Sequence, residues 1–205
     1  INIVKSKEFA SANTKINELI SKNLEHPKLL ELKSLMEDSI KENPKNKTII
    51  FSQFRDTTIK ITDTLNQIPN INAKVFVGQA KKVNSGLTQK EQQEIMNEFR
   101  DGTINVIAAT SIAEEGLDIP EVSSVIFYEP IPSAIRSIQR RGRTARLVKG
   151  KLIILLTLDT LDEIYYYASR SREKKMYTSI ESVKNDLAKG KSIEPRKKKE
   201  QKTLF

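Results

Sequence analysis

From about residue 47 onward, short apolar runs alternate with stretches of helical periodicity, and that rhythm restricts the fold more than any other feature. The runs are TIIFS (48–52), AKVFV (73–77), NVIAA (105–109), VIFY (125–128) and LIILL (152–156). They are rich in Ile, Val and Phe and almost continuously apolar, the pattern of strands covered on both faces rather than one. Between them, Asp56–Gln67, Thr88–Arg100 and Ser133–Arg141 read as helices, with Asp56 and Thr88 as N-caps. A β-α-β-α order implies one α/β domain with a parallel sheet and helices on both of its faces.

Two flanks depart from this rhythm. Residues 1–46 form a polar, helical lead-in from an upstream domain, in which Leu29, Leu30, Leu32, Leu35, Met36 and Ile40 gather on one face between Pro27 and Pro44. The lone histidine, His26, precedes Pro27 and reads as a solvated residue at a helix start. Residues 47–187 are the sheet domain, ending in one or two helices over 160–187 that carry Tyr165, Tyr166, Tyr167 and Tyr177. From Lys189 to Lys202 there are seven basic and two acidic residues, so 188–205 read as a disordered basic tail.

Composition narrows the chemistry. With 35 Lys+Arg against 26 Asp+Glu the chain carries net +9 and a pI near 9.6, which favours a polyanionic partner. There is no cysteine among the 205 residues, so disulfides, thiolate zinc sites and a cysteine nucleophile are excluded. No apolar run approaches the roughly 20 residues that cross a bilayer, and the expectation is a cytoplasmic, nucleoid-associated protein. The start at Ile1 reads as that of a fragment or of a processed chain.

In an open α/β sheet, ligands collect beyond the carboxyl ends of the strands. Three stretches fall at such ends. Ser52–Asp56 follows the first run, ATSIAEEGLDIP (109–120) follows the third, and QRRGRTAR (139–146) lies on the helix after Pro130 and Pro132. The middle stretch fits a phosphate on the helix start at Ser111 with a ribose or cation at Asp118, and equally a plain N-cap and a turn carboxylate. The last packs Arg140, Arg141, Arg143 and Arg146 around one glycine with no acid nearby. Like charges so close repel, and the planar arginine donors complement phosphate oxygens.

QRRGRTAR resembles motif VI of superfamily 2 helicases, Q/H-R-x-G-R-x-x-R. ATSIAEEGLDIPEVSSVIFYEP resembles motif V and KTIIFSQFRDT motif IV, in the family's order. VGQA (77–80), GLTQKEQQEIMNEFRDG (86–102) and EPIPSAIRSIQRRGRTAR (129–146) are more particular and resemble the archaeal Hef and Fanconi anaemia M helicases, over roughly residues 27–178. The resemblance implies the second RecA-like domain of an archaeal ATP-dependent DNA helicase or translocase acting on forked or branched DNA in repair or replication restart. It implies ATP and Mg²⁺ held between this domain and an upstream RecA-like domain, with the metal ligands on the latter.

By position, Arg143 and Arg146 resemble the arginines that touch the γ-phosphate, and Gln139 the residue that contacts phosphate or places the attacking water. Gly116, Asp118 and Arg140 resemble groups beside the nucleotide. Thr110 and the Gly78 backbone resemble groups that hold a nucleic-acid phosphate, joined by Arg55 and Ser52. None of these reads base edges, which suits a motor that tracks backbone. The chain has no G-x-x-x-x-G-K-[ST] loop, no acidic D-E-x-[HD] run and no paired acidic nuclease motif. GKS at 190–192 is a decoy, with Asn185 where the first glycine belongs. The expectation is therefore half of an ATPase site, inactive alone. Two other readings are an RNA-sensing or RNA-remodelling ATPase of the same superfamily and a non-catalytic nucleic-acid-binding module. Finally, Gln201, Leu204 and Phe205 after the basic run resemble in part a sliding-clamp docking peptide, although a plain solvated tail fits them better.

Overall fold

The computed structural model describes residues 3–22, 24–78, 87–110, 120–131 and 150–189. Its elements run α1 (Lys7–Ser21), α2 (Pro27–Glu42), β1 (Thr48–Phe51), α3 (Arg55–Leu65), β2 (Ala73–Phe76), α4 (Gln89–Asp101), β3 (Val106–Ala109), β4 (Ser124–Phe127), β5 (Lys151–Ile154) and α5 (Leu161–Ala188). All five strands pair in parallel, in the order β2-β3-β1-β4-β5.

Side chains alternate across each strand, so one sheet feeds two apolar clusters. On one face Ile50, Val106, Ala108 and Ile126 meet Leu29, Leu32, Met36 and Ile40 of α2 and Ile61 and Leu65 of α3. On the other, Ile49, Phe51, Phe76, Ile107 and Phe127 meet Met96 and Phe99 of α4. The phenyl rings of Phe51 and Phe127 pack edge to face at 6.0 Å across the β1–β4 pair. At 25 cal/mol per Å² of apolar area, a fully buried Phe or Leu stabilises the fold by about 2–3 kcal/mol.

Burial sorts the strands by position in the sheet. Each residue of the inner strands β1, β3 and β4 is buried, whereas the edge strands β2 and β5 expose Lys74 and Lys151. The expectation of two covered faces therefore holds for three strands and only partly for the edges. Lysines on edge strands also discourage pairing with other chains.

Caps explain where helices start. The Thr88 hydroxyl accepts a hydrogen bond from the Glu91 N–H while the Glu91 carboxylate accepts one from the Thr88 N–H, a reciprocal capping box. The backbone bond holds the Glu91 carboxyl below its usual range, with the Thr88 hydroxyl adding to it. Gly102 closes α4 at φ +92°, a left-handed conformation suited to glycine. Asp56 is not an N-cap. Helix α3 begins one residue earlier, behind Phe54, and Asp56 lies in its first turn, where a carboxylate suits the helix dipole.

The two lead-in helices differ. Leu29, Leu32, Met36 and Ile40 make α2 part of the core, but Leu30 is 58% exposed because it lies about 100° round the helix from Leu29. No residue of α1 is buried. His26 caps α2, its Nδ1 accepting the Lys28 N–H at 3.1 Å, so it is exposed yet has a defined structural task. Residues 161–188 form one helix, α5, capped by Thr160, of which only Ser169 is buried. No helix among the described residues is long and apolar enough to cross a membrane.

Candidate functional site

The carboxyl ends of the strands lie level. Phe76, Ala109, Phe51, Phe127 and Ile154 share one register row. Past that row the ladder continues one step, through Ser52 N–H to Ala109 O, Thr110 N–H to Phe76 O, Tyr128 N–H to Phe51 O and Leu155 N–H to Phe127 O. Beyond it the backbone polar groups need other partners. Side chains from the following segments supply many of them, and they build the site.

Glu129, at the end of β4, reaches across to the segment after β1. Its carboxylate accepts the Ser52 hydroxyl at 3.0 Å and the Gln53 N–H at 3.1 Å, while the Gln53 side-chain amide donates to Pro130 O at 3.1 Å. Burial pushes the Glu129 carboxyl above its ordinary range, against the pull of both hydrogen bonds and of the Lys28 ammonium. Neighbouring Tyr128 is pushed up to about 12, first by burial and then by the charges of Glu129 and Glu25.

Lys28, only 8% exposed, anchors the same strand end from α2. Its ammonium donates to Tyr128 O at 3.0 Å, lies 5.7 Å from the Tyr128 ring centre and pairs with Asp162 in the first turn of α5. Burial alone would raise the Asp162 carboxyl. The hydrogen bonds from Lys28 and the Thr157 N–H outweigh it and leave the group below its usual range. Two helix starts are thereby fixed to one strand end.

The segment after β2 is held from both sides. Gln92, a buried residue of α4, donates its side-chain amide to Val77 O at 3.2 Å. Arg55, the first residue of α3, donates its guanidinium to Gly78 O at 2.7 Å.

These contacts locate four of the candidate residues. Gly78, Thr110 and Ser52 stand at the ends of neighbouring strands β2, β3 and β1, and Arg55 bridges back to Gly78. Ser52 has no exposed surface and its hydroxyl is engaged by Glu129, so its observed task is internal. Thr110 is 7% exposed. Gly116, Asp118, Gln139, Arg140, Arg143 and Arg146 lie outside the described residues, as do Gln201, Leu204 and Phe205. Sequence reasoning passed over Glu129, Gln92 and Lys28. The signals were there, a carboxylate and a proline directly after an apolar run in the first case and a polar residue on the inner face of a helix in the others. A cavity of about 890 Å³ between α5 and the β4–β5 side is walled, among the described residues, by Phe127, Leu152, Ile154, Tyr166 and Tyr167, and none of these is a candidate residue.

Residues 27–148 match the model of the helicase conserved C-terminal domain. The chain belongs to that family. Among curated proteins it is 41% identical over 169 residues to a putative ATP-dependent RNA helicase of Methanocaldococcus jannaschii, covering 82% of this chain and 21% of that protein. It is 38% identical over 178 residues to the Fanconi anemia group M protein homolog of mouse, covering 86% of this chain and 9% of the other. The chain thus spans about a fifth or less of these relatives. Among solved structures, the Pyrococcus furiosus Hef helicase domain superposes with TM-score 0.64 at 45% identity, over 82% of this chain and 33% of that one. The five-stranded parallel sheet with helices on both faces is the RecA-like fold of a helicase C-terminal domain.

Proposed function

We propose that this chain is the second motor domain of an ATP-dependent DNA helicase or translocase that acts on forked or branched DNA. The observation that carries the reading is the 45% identity to the Hef helicase domain, combined with motifs IV, V and VI in order along the sequence and a five-stranded parallel sheet. In this reading the strand ends form two working regions. Gly78 and Thr110 meet a DNA phosphate, with Arg55 and Ser52 holding the loops behind them. Gln139, Arg140, Arg143 and Arg146, with Gly116 and Asp118, face ATP and Mg²⁺ gripped by a preceding RecA-like domain.

The chemistry expected of these residues is charge stabilisation. Phosphoryl transfer needs little covalent help from protein groups, so arginines aimed at the γ-phosphate act by offsetting charge in the transition state. The groups that hold the β-phosphate and the metal are absent from this sequence. The chain alone therefore hydrolyses ATP no faster than background. Joined to its preceding domain, Arg143→Ala and Arg146→Ala should each cut ATP turnover by a factor on the order of 10³ while DNA binding persists. Normal turnover with lost DNA binding would make the arginines a nucleic-acid patch instead.

The name of the Methanocaldococcus relative favours a second reading, an RNA substrate. Single-stranded DNA and RNA of equal length, compared as stimulators of ATP turnover by the two-domain protein, separate the two. Stimulation by RNA alone would overturn the DNA assignment.

A further inference from the structure

Val77 and Gly78 leave the end of the edge strand β2, and their two carbonyls are held by different helices. Along an edge strand, successive peptides face the neighbouring strand and open space in turn. Phe76 O faces β3, where it accepts the Thr110 N–H at 3.2 Å. Val77 O therefore faces away from β3, and there Gln92 of α4 donates to it. The carbonyl and the amide of a trans peptide point in opposite directions, and the Val77–Gly78 bond is trans. With the carbonyl fixed by Gln92, the Gly78 N–H is turned toward the end of β3, where Thr110 stands.

A continued parallel ladder would give that N–H to Thr110 O. The ladder stops instead: no bond joins the Gly78 N–H to Thr110 O, and Gly78 O is taken by Arg55 at 2.7 Å. Among the described residues no acceptor meets the Gly78 N–H, although Gly78 is buried. A buried amide without a partner costs free energy, so such a group is expected where a ligand completes it. Gln92 is itself buried at 8% exposure on a helix whose inner face is otherwise apolar. A polar side chain is placed there at the expense of packing, and among the described residues its side-chain amide bonds the Val77 carbonyl.

We propose that Gln92 is a positioning residue, one that aims the Gly78 N–H at a nucleic-acid phosphate seated over the ends of β2 and β3. It touches no ligand and acts through the orientation of one peptide. Arg55 completes the arrangement by holding the next carbonyl, so the amide is fixed before the phosphate arrives. This deepens the nucleic-acid reading above and rests on it.

The test uses the 205-residue chain and single-stranded DNA oligonucleotides in which one phosphate at a time is replaced by a neutral methylphosphonate. Two substitutions of similar size remove the donor, Gln92→Glu and Gln92→Met, and thermal melting identifies those that fold. For the wild type, neutralising one particular phosphate should weaken binding about tenfold, as expected for a hydrogen bond to a charged group. In the folded Gln92 variant, affinity for unmodified DNA should fall about tenfold and the penalty at that phosphate should shrink below about twofold. A merely structural role for Gln92 would lower affinity without erasing the sensitivity to one phosphate. A folded variant with the wild-type phosphate penalty overturns the inference alone. A wild-type chain with no phosphate-sensitive position overturns the nucleic-acid reading as well.

Discussion

Ser52, at the end of β1, donates its hydroxyl to Glu129, at the end of β4, at 3.0 Å, and so joins the segment of motif IV to the strand that leads toward motif VI. The carboxylate is partly desolvated and its pKa is raised, so in the folded protein its charged form is the disfavoured one. With the folded value above the unfolded value of about 4.3, ionisation costs stability at neutral pH and nothing in acid. Glu129→Gln keeps both contacts, since its oxygen can accept the Gln53 N–H and its amide can donate to Ser52. It should melt above the wild type at pH 7 and lose that advantage below about pH 4. Glu129→Ala, which leaves Ser52 and Gln53 unsatisfied, should melt below the wild type at pH 7. Circular-dichroism melts at pH 7, 5.5 and 4 check the sign, and a Gln variant less stable than wild type at pH 7 would contradict it.

Lys28 and Asp162 behave in the opposite sense. The Asp162 carboxyl is held below its ordinary value, so its contribution is present above the unfolded value of about 3.9 and is lost as pH falls through the folded one. Lys28→Met removes the ammonium from Asp162 and from Tyr128 O together. The expected loss is about 2–3 kcal/mol at pH 7, read from urea unfolding. The gap between variant and wild type should narrow in acid. Adding Asp162→Asn to Lys28→Met should recover part of the loss, because the uncompensated carboxylate is then gone.

At the start of α4, Thr88→Ala removes one half of the capping box. About 1 kcal/mol of stability should be lost, a fall in Tm of a few degrees for a chain of this size. Gln92 lies one turn further along, so this variant also shows whether a frayed α4 start weakens DNA binding. Thr88→Ser should restore both.

The basic run 189–202 should supply much of any non-specific affinity for nucleic acid. Deleting residues 189–205 ought to lower the dependence of binding on salt, since each lost phosphate contact removes about one unit of the log–log slope. Fluorescence anisotropy between 50 and 200 mM salt measures it. An unchanged slope would place the binding entirely on the remaining residues 1–188.

The strands were legible because burial on two faces forces Ile, Val and Phe into continuous runs, as in TIIFS and NVIAA. Thr88 was legible because the residue three positions on is a glutamate. Asp56 misled, because α3 is capped by no side chain and starts from Phe54, where composition carries no sign. Leu30 misled as well, since a run of leucines does not by itself show which of them faces the sheet. The arginine cluster at 140–146 lies outside the described residues. Glu129, Gln92 and Lys28 left a sign in the sequence but not their partners, because each bonds a backbone group distant in sequence, 76, 15 and 100 positions away. A carbonyl or an amide leaves no trace in residue type, so which backbone group each side chain meets shows only once the fold is built.

The Lys28–Asp162 pair also sets how short the folding unit can be. The family match ends at residue 148, before β5 and before Asp162. A chain trimmed there would keep the motif VI arginines but lose the outer partner of β4, leaving that strand as a raw edge. It would also leave a lysine enclosed beside Tyr128 without its counter-ion. Because the two partners are 134 positions apart, their bond closes one of the longest loops in the molecule. During synthesis the start of α2 must therefore wait for α5 to emerge, and the domain is complete only some distance after Arg146 has been made.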